Sequence, residues 1–257
     1  MASTDPLAPF RLDGKVALVT GASSGLGRRM AQVLAADGAR VAIAARRLDR
    51  LEVLAKELGD AALPVECDVS NDDDLARLVS TTTEHFGPID VLVNNAGMGD
   101  PRPAEDEPPQ VFRDIVGVNL NAVFVLSQLV GRQMLERGSG AIVNVASVLG
   151  LVASGQIPQA SYVAAKHGVV GITRELAVQW ARRGVRVNAI APGWFPSEMT
   201  GDMFDSEAGQ TWIRRRTPMG RAGDPSELDG ALLFLASDAS AFVTGQVLAV
   251  DGGWTTV

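Results

Sequence analysis

The stretch Val16-Ala17-Leu18-Val19-Thr20-Gly21-Ala22-Ser23-Ser24-Gly25-Leu26-Gly27 decides how the chain is read. Residues 16–20 are apolar or β-branched without polar alternation, as in a parallel strand buried on both faces. Glycines then let the backbone turn sharply and approach a ligand. The amphipathic segment 28–36 that follows reads as a helix, whose N-terminal N–H groups and positive dipole suit a pyrophosphate. The spacing is Gly-x-x-x-Gly-x-Gly rather than Gly-x-Gly-x-x-Gly, and glycines also serve plain tight turns. The position of the cluster, after a first strand and at the start of a first helix, favours nucleotide binding.

Working outward, further strands are expected at 41–45, 64–67, 91–94, 141–146, 185–191 and 247–250, mostly Val-, Ile- and Ala-rich. Helical stretches separate them. One carries the stripe Val111, Ile115, Val118, Ala122, Val125 and Leu129; another runs from about 160 to 182. Gly38, Gly87 and Gly184 stand where helices should stop. This alternation predicts an α/β fold: a Rossmann-type doubly wound parallel sheet of about seven strands with helices on both faces. No linker, charge block or repeat divides the chain, so residues 1–257 read as one dinucleotide-binding domain. The long segment 194–217 lacks a strand pattern and reads as a substrate lid.

Composition narrows the function classes. Among 257 residues, 46% are hydrophobic and 21% charged, which is ordinary for a folded protein. A net charge of −7 argues against nucleic-acid partners and anionic membranes. No apolar run approaches the roughly 18 residues a membrane span needs, and residues 1–10 show no secretory pattern. A lone cysteine, Cys67, offers neither an intramolecular disulfide nor a thiolate metal cage, which fits a reducing, cytoplasmic setting. His85 and His167 do not combine with it at metal-ligand spacing, so no metal is expected.

The turn from Thr20 to Gly27 resembles that of the short-chain dehydrogenases/reductases, in their compact single-domain branch. The resemblance continues through Asn94-Asn95-Ala96-Gly97, Asn119, Ser147, Tyr162-Val163-Ala164-Ala165-Lys166, Pro192-Gly193 and Asp251-Gly252-Gly253, in order over about residues 14–253. It implies catalytic roles for Asn119, Ser147, Tyr162 and Lys166. Tyr162, the only tyrosine, and Lys166 lie four apart, on one face of a helix. A phenol with pKa near 10 is a poor base at neutral pH. An ammonium about 4 Å away at an effective dielectric of about 20 contributes about 4 kcal/mol, or about three pKa units. Ser147 ends the fifth strand, where its hydroxyl can position the substrate oxygen, although a serine there also suits a plain turn. Asn119 is disfavoured inside an apolar helix; the resemblance implies that it distorts that helix and, with Lys166, holds a water chain.

For the cofactor, the resemblance implies contacts from Gly21, Ser23, Ser24, Gly25, Leu26 and Gly27 to the phosphates. It places Asp68 and Val69 beside the adenine, and Asn95, Ala96 and Gly97 along the ribose. Tyr162 and Lys166 meet the nicotinamide ribose, and Pro192, Gly193, Phe195 and Ser197 the carboxamide. Ala45 stands where NAD-preferring relatives carry Asp, and Arg46 and Arg47 follow it. Arginine suits a 2′-phosphate, so NADP(H) is expected to be preferred, with NAD(H) possible. The implied activity is interconversion of a small-molecule secondary alcohol and a ketone, by a homotetramer. Two alternatives stand: a 3-oxoacyl carrier-protein reductase, for whose acidic partner the run Arg214-Arg215-Arg216 is either a basic patch or a solvated helix end, and a nucleotide-binding regulatory protein on the same fold. Val148, Leu149, Leu151, Val152, Trp194, Met199, Met203 and Phe204 are candidate pocket-lining residues.

Overall fold

Seven strands form one parallel sheet in a computed structural model that describes residues 5–257. The leader reading of residues 1–10 falls in part on residues 1–4, outside the described residues. The strands are β1 (Val16–Thr20), β2 (Arg40–Ala45), β3 (Ala62–Glu66), β4 (Val91–Asn94), β5 (Gly140–Val145), β6 (Val185–Pro192) and β7 (Val247–Val250). Their spatial order is β3-β2-β1-β4-β5-β6-β7, so the order reverses between β1 and β4. Each expected strand is present, with ends shifted by two residues at most.

Nine α-helices connect and flank the strands among the described residues: α1 (Gly25–Ala36), α2 (Leu48–Leu58), α3 (Asp72–Phe86), α4 (Pro109–Val116), α5 (Ala122–Arg137), α6 (Ala160–Trp180), α7 (Gly201–Asp205), α8 (Glu207–Arg216) and α9 (Asp229–Ala236). Strand residues alternate between two cores because successive side chains point to opposite faces. Ala17, Val19, Val41 and Ile43 pack with Met30 and Leu34 of α1, Leu51 of α2 and Leu232 of α9. Val16, Leu18, Ala42 and Ala44 pack with Leu78 of α3, Val130 of α5 and Leu176 of α6.

The apolar stripe expected from Val111 to Leu129 breaks at a π-helical turn, Gly117–Asn121, between α4 and α5. Its wider turn rotates the helix, so the buried face continues through Val123, Leu126, Val130 and Met134 while Val118, Val125 and Leu129 are only partly covered. The continuous helical run Pro109–Arg137 is, by length and composition, apolar enough to cross a bilayer, which corrects the sequence reading. In the fold its α5 portion lies in the core of the sheet's second face.

Four polar side chains tie the sheet to α5 and α6. Asn94 Nδ2 donates to Ser127 Oγ (3.0 Å) and to Asn144 Oδ1 (2.9 Å), and Asn144 Nδ2 donates to Thr173 Oγ1 (3.0 Å). All four are buried. An unpaired buried amide costs about 1–3 kcal/mol. Asn144→Ala should therefore lower unfolding free energy by about 2–3 kcal/mol, cavity included. Urea denaturation checks this; a loss below about 0.5 kcal/mol would show that the network carries no stability.

Candidate active site

The reversal of strand order opens a cleft at the C-terminal ends of β1 and β4, where open α/β sheets place their ligands. The cleft measures about 420 Å³. All the sequence-predicted cofactor residues line it: Gly21 through Gly27 excepting the buried Ala22, then Arg46, Arg47, Asp68, Val69, Asn95, Ala96, Gly97, Tyr162, Lys166, Pro192, Gly193, Phe195 and Ser197. Ser147 lines its inner end.

Contacts between the two turns shape the cleft floor. Thr20 Oγ1 accepts from the backbone N–H groups of Asn95 (3.1 Å) and Ala96 (3.0 Å), and Asn95 Nδ2 donates to the Thr20 carbonyl (2.9 Å). A Cβ on Gly27 would lie 2.3 Å from both Asn95 Nδ2 and the Gly21 carbonyl oxygen. Ser24, the N-cap of α1, makes no side-chain cap, so the first-turn amides of that helix keep no side-chain acceptor. Its hydroxyl instead accepts from Arg47 Nη2 (3.0 Å) and donates to Glu198 Oε2 (3.0 Å). Free helix-start amides beside a guanidinium fit an anionic dinucleotide. Arg46 is exposed on the same rim and forms no ion pair among the described residues.

At the inner end, Asn119 sits in the π turn and is fully buried. Its Nδ2 donates to the Met98 carbonyl (2.7 Å) and to the Ile115 carbonyl (3.0 Å), while Oδ1 accepts from Met98 N–H (3.1 Å). Asn119 thus supplies a hydrogen bond to Ile115 in the distorted helix and fixes the loop after β4. A Cβ on Gly97 would lie 2.7 Å from Asn119 Oδ1 and 3.8 Å from Lys166 Nζ, so the three positions converge. Ser147 Oγ accepts from Leu149 N–H (3.1 Å), which fixes the hydroxyl at the end of β5.

Tyr162 and Lys166 face the cleft from one side of α6, with Lys166 Nζ 5.6 Å from the centre of the Tyr162 ring. The ammonium donates to the Val145 carbonyl (2.8 Å). The expected electrostatic lowering of the phenol is not found. Burial holds the Tyr162 phenol above its ordinary value, opposed by its hydrogen bond with Ser147. Burial also lowers Lys166, to about 8. Both groups pay desolvation, and neither faces a full opposite charge.

Beyond Tyr162 lies an aromatic wall. Trp194 meets Trp212 edge-on at 5.2 Å and Trp254 at 6.3 Å, over Val148, Leu149 and Ile213. Val152, Met203 and Phe204 join this cluster as expected, but Leu151 packs in a separate core and Met199 lines the cofactor cleft. Trp212, Trp254 and Glu198 were missed. The segment 194–217 is helical rather than loop, holding α7 and α8. Arg214, Arg215 and Arg216 are exposed in the last turn of α8, with Arg216 over the Trp212 ring. Burial pushes the Cys67 thiol up to about 12, so it remains protonated. His167 Nδ1 hydrogen-bonds the Val163 carbonyl within its own helix (2.9 Å).

The family described as enoyl-(acyl-carrier-protein) reductase matches residues 21–255. The chain belongs to the short-chain dehydrogenase/reductase family. Galactitol 2-dehydrogenase (L-tagatose-forming) of Cereibacter sphaeroides is 44% identical, over 96% of this chain and 97% of the relative. A 3-oxoacyl-[acyl-carrier-protein] reductase of Vibrio cholerae is 40% identical, over 95% and 98%. Among solved structures, a gluconate 5-dehydrogenase from Burkholderia cenocepacia in complex with NADP and tartrate superposes with a TM-score of 0.94 at 39% identity, over 98% of this chain and 100% of that one.

The depressed Lys166 has a consequence for stability. Its folded pKa of about 8 lies below the unfolded value of about 10.4. Between these values the unfolded chain holds a proton that the folded one has released, so stability rises with pH. From pH 8 to pH 10, wild type should gain about 2 kcal/mol relative to Lys166→Met. Denaturant titrations at the two pH values measure this, and parallel pH profiles would contradict it.

Proposed function

We propose that this chain is an NADP(H)-preferring oxidoreductase that interconverts a secondary alcohol and a ketone on a small, sugar- or polyol-like substrate. One observation carries the reading: Ser147, Tyr162 and Lys166 meet at the inner end of a cleft, with Asn119 buried behind Gly97, and the outer rim bears Arg46 and Arg47. The relative named for galactitol and the neighbour bound to NADP support it. When bound, the nicotinamide supplies the hydride acceptor or donor. Tyr162 takes the hydroxyl proton during oxidation and returns it during reduction. Ser147 holds the substrate oxygen beside that phenol. Lys166 biases the phenol toward its ionised form once its own charge is held, and Asn119 keeps the loop after β4 and the Lys166 environment in register. Trp194 and its neighbours give the substrate end an apolar wall, and the 194–217 segment acts as its lid.

The same reading makes residues 1–257 one domain, cytoplasmic and homotetrameric. Its support is the single buried cysteine and a half-exposed edge strand, β7, beside the fully exposed Phe242. The exposed arginines of α8 favour a second reading, in which an acidic carrier protein presents a 3-oxoacyl group. A ketone panel containing both free sugars and carrier-linked thioesters separates the two, by NADPH absorbance.

Turnover at NADPH should exceed that at NADH by about tenfold or more in kcat/KM, since a hydrogen bond to a charged group is worth about 1.5–3 kcal/mol. Equal or better use of NADH would refute the preference. Tyr162→Phe should lose at least about 100-fold in kcat while binding NADPH within about threefold of wild type. A variant retaining a third of wild-type activity would remove Tyr162 from the mechanism. No turnover of any alcohol or ketone, with cofactor still bound, would favour the regulatory alternative.

A further inference from the structure

Glu198 opens the short helical turn Glu198–Thr200, just beyond the Pro192–Ser197 loop, yet its carboxylate is held from the opposite wall of the cleft. Oε2 accepts from Ser24 Oγ (3.0 Å) and Arg47 Nη2 (2.8 Å), and Oε1 accepts from Arg47 Nη1 (3.3 Å). Arg50 Nη1 closes on Oε1 from the other side. Arg47 Nη2 also reaches Ser23 Oγ (3.1 Å). Two guanidinium groups and a hydroxyl converging on one carboxylate form the donor set that recognises a phosphate monoester. They stand between the glycine turn and the start of α2, beside the exposed Arg46. Arg47 thus brings a cation to Ser24, and Glu198 fills its fork.

We propose that Glu198 determines cofactor specificity by competing for the seat of the adenosine 2′-phosphate. This rests on the NADP(H) reading above. The carboxylate occupies the Ser24–Arg47–Arg50 seat and bridges the 194–217 segment to the phosphate-binding turn. Arg47, Arg50 and Glu198 together keep one net positive charge. A phosphate of charge near −2 entering beside the retained carboxylate would face a like charge, so NADP(H) binding exchanges Glu198 for phosphate. NAD(H) carries a hydroxyl at that position and leaves the bridge intact. Glu198 therefore narrows the margin between the two cofactors and lets the same cleft close over either one. Its exposed position makes the exchange possible, since the ion pairs are solvated and readily replaced.

The test is isothermal titration of 2′,5′-ADP and 5′-AMP into wild type, Glu198→Gln and Glu198→Ala, at low ionic strength, with NADPH and NADH titrated in parallel. Both variants should bind 2′,5′-ADP and NADPH about tenfold more tightly than wild type, and 5′-AMP and NADH within about twofold. A circular dichroism melt confirms that the variants are folded, and agreement between the Gln and Ala variants excludes a side-chain artefact. Equal gains for both nucleotides, or no gain for either, would overturn the proposal while leaving the cofactor reading in place. A wild type that binds neither nucleotide would overturn both. Binding of 2′,5′-ADP no tighter than 5′-AMP in all three proteins would place the failure in the NADP(H) reading, and the proposal would fall with it.

Discussion

The turn after β1 and the turn after β4 are laid together so closely that one methyl group would part them. Gly27 has room for no side chain, because Asn95 and the Gly21 carbonyl occupy that space. Thr20 and Asn95 lock the same junction with reciprocal hydrogen bonds. The rest of the site is built from there. The junction sets where α1 begins, and so where its free amides point. It also sets the path of the loop through Gly97 and Met98, which Asn119 then grips from the π turn. A parallel sheet with its strand order reversed at this point leaves a crevice of its own accord; the junction gives that crevice a floor of fixed shape.

The charged side chains of the cleft are held by groups of the protein itself. Tyr162 and Lys166 are brought onto one helical face, but Lys166 spends its proton on the Val145 carbonyl and the phenol stays above its ordinary pKa. Burial costs both charged forms, and among the described residues no charged partner offsets it at either group. The opposite end of the cleft is in a comparable state: the guanidinium of Arg47 is satisfied by a carboxylate from the protein itself. Each end thus holds its charged groups on partners within the protein.

Much of this was legible in the sequence. Buried parallel strands read as short apolar runs, so β1, β4 and β7 were placed to the residue and the others nearly so. That Tyr162, Lys166, Ser147 and the glycine turn line one cleft was legible because they stand at recognisable spacings along the strand–helix alternation. Asn119 was itself the signal that the long helix departs from regular geometry, yet periodicity alone carried the stripe straight through the π turn and so included Val118, Val125 and Leu129, which are only partly covered, beside the buried Ala122. Contacts between distant segments were not legible. Nothing near Glu198 indicates a partner 151 positions earlier, and Trp212 and Trp254 come together with Trp194 only once α8 and the chain end fold back. The electrostatics of Tyr162 could not be read from residue types either, because burial outweighed the lysine that spacing had placed nearby.

Gly27→Ala offers the most direct measurement of whether the junction governs the site. Its methyl group would meet Asn95 Nδ2 and the Gly21 carbonyl at 2.3 Å while leaving every titratable and catalytic side chain in the sequence. Titrating NADPH into this variant and into wild type, with a denaturation curve for each, separates damage to the cleft from damage to the fold. The account predicts a cooperatively folded variant whose NADPH affinity falls by about 100-fold or more, as expected when about 3 kcal/mol of fixed backbone contacts is lost. A folded variant that binds NADPH within about threefold of wild type would contradict it.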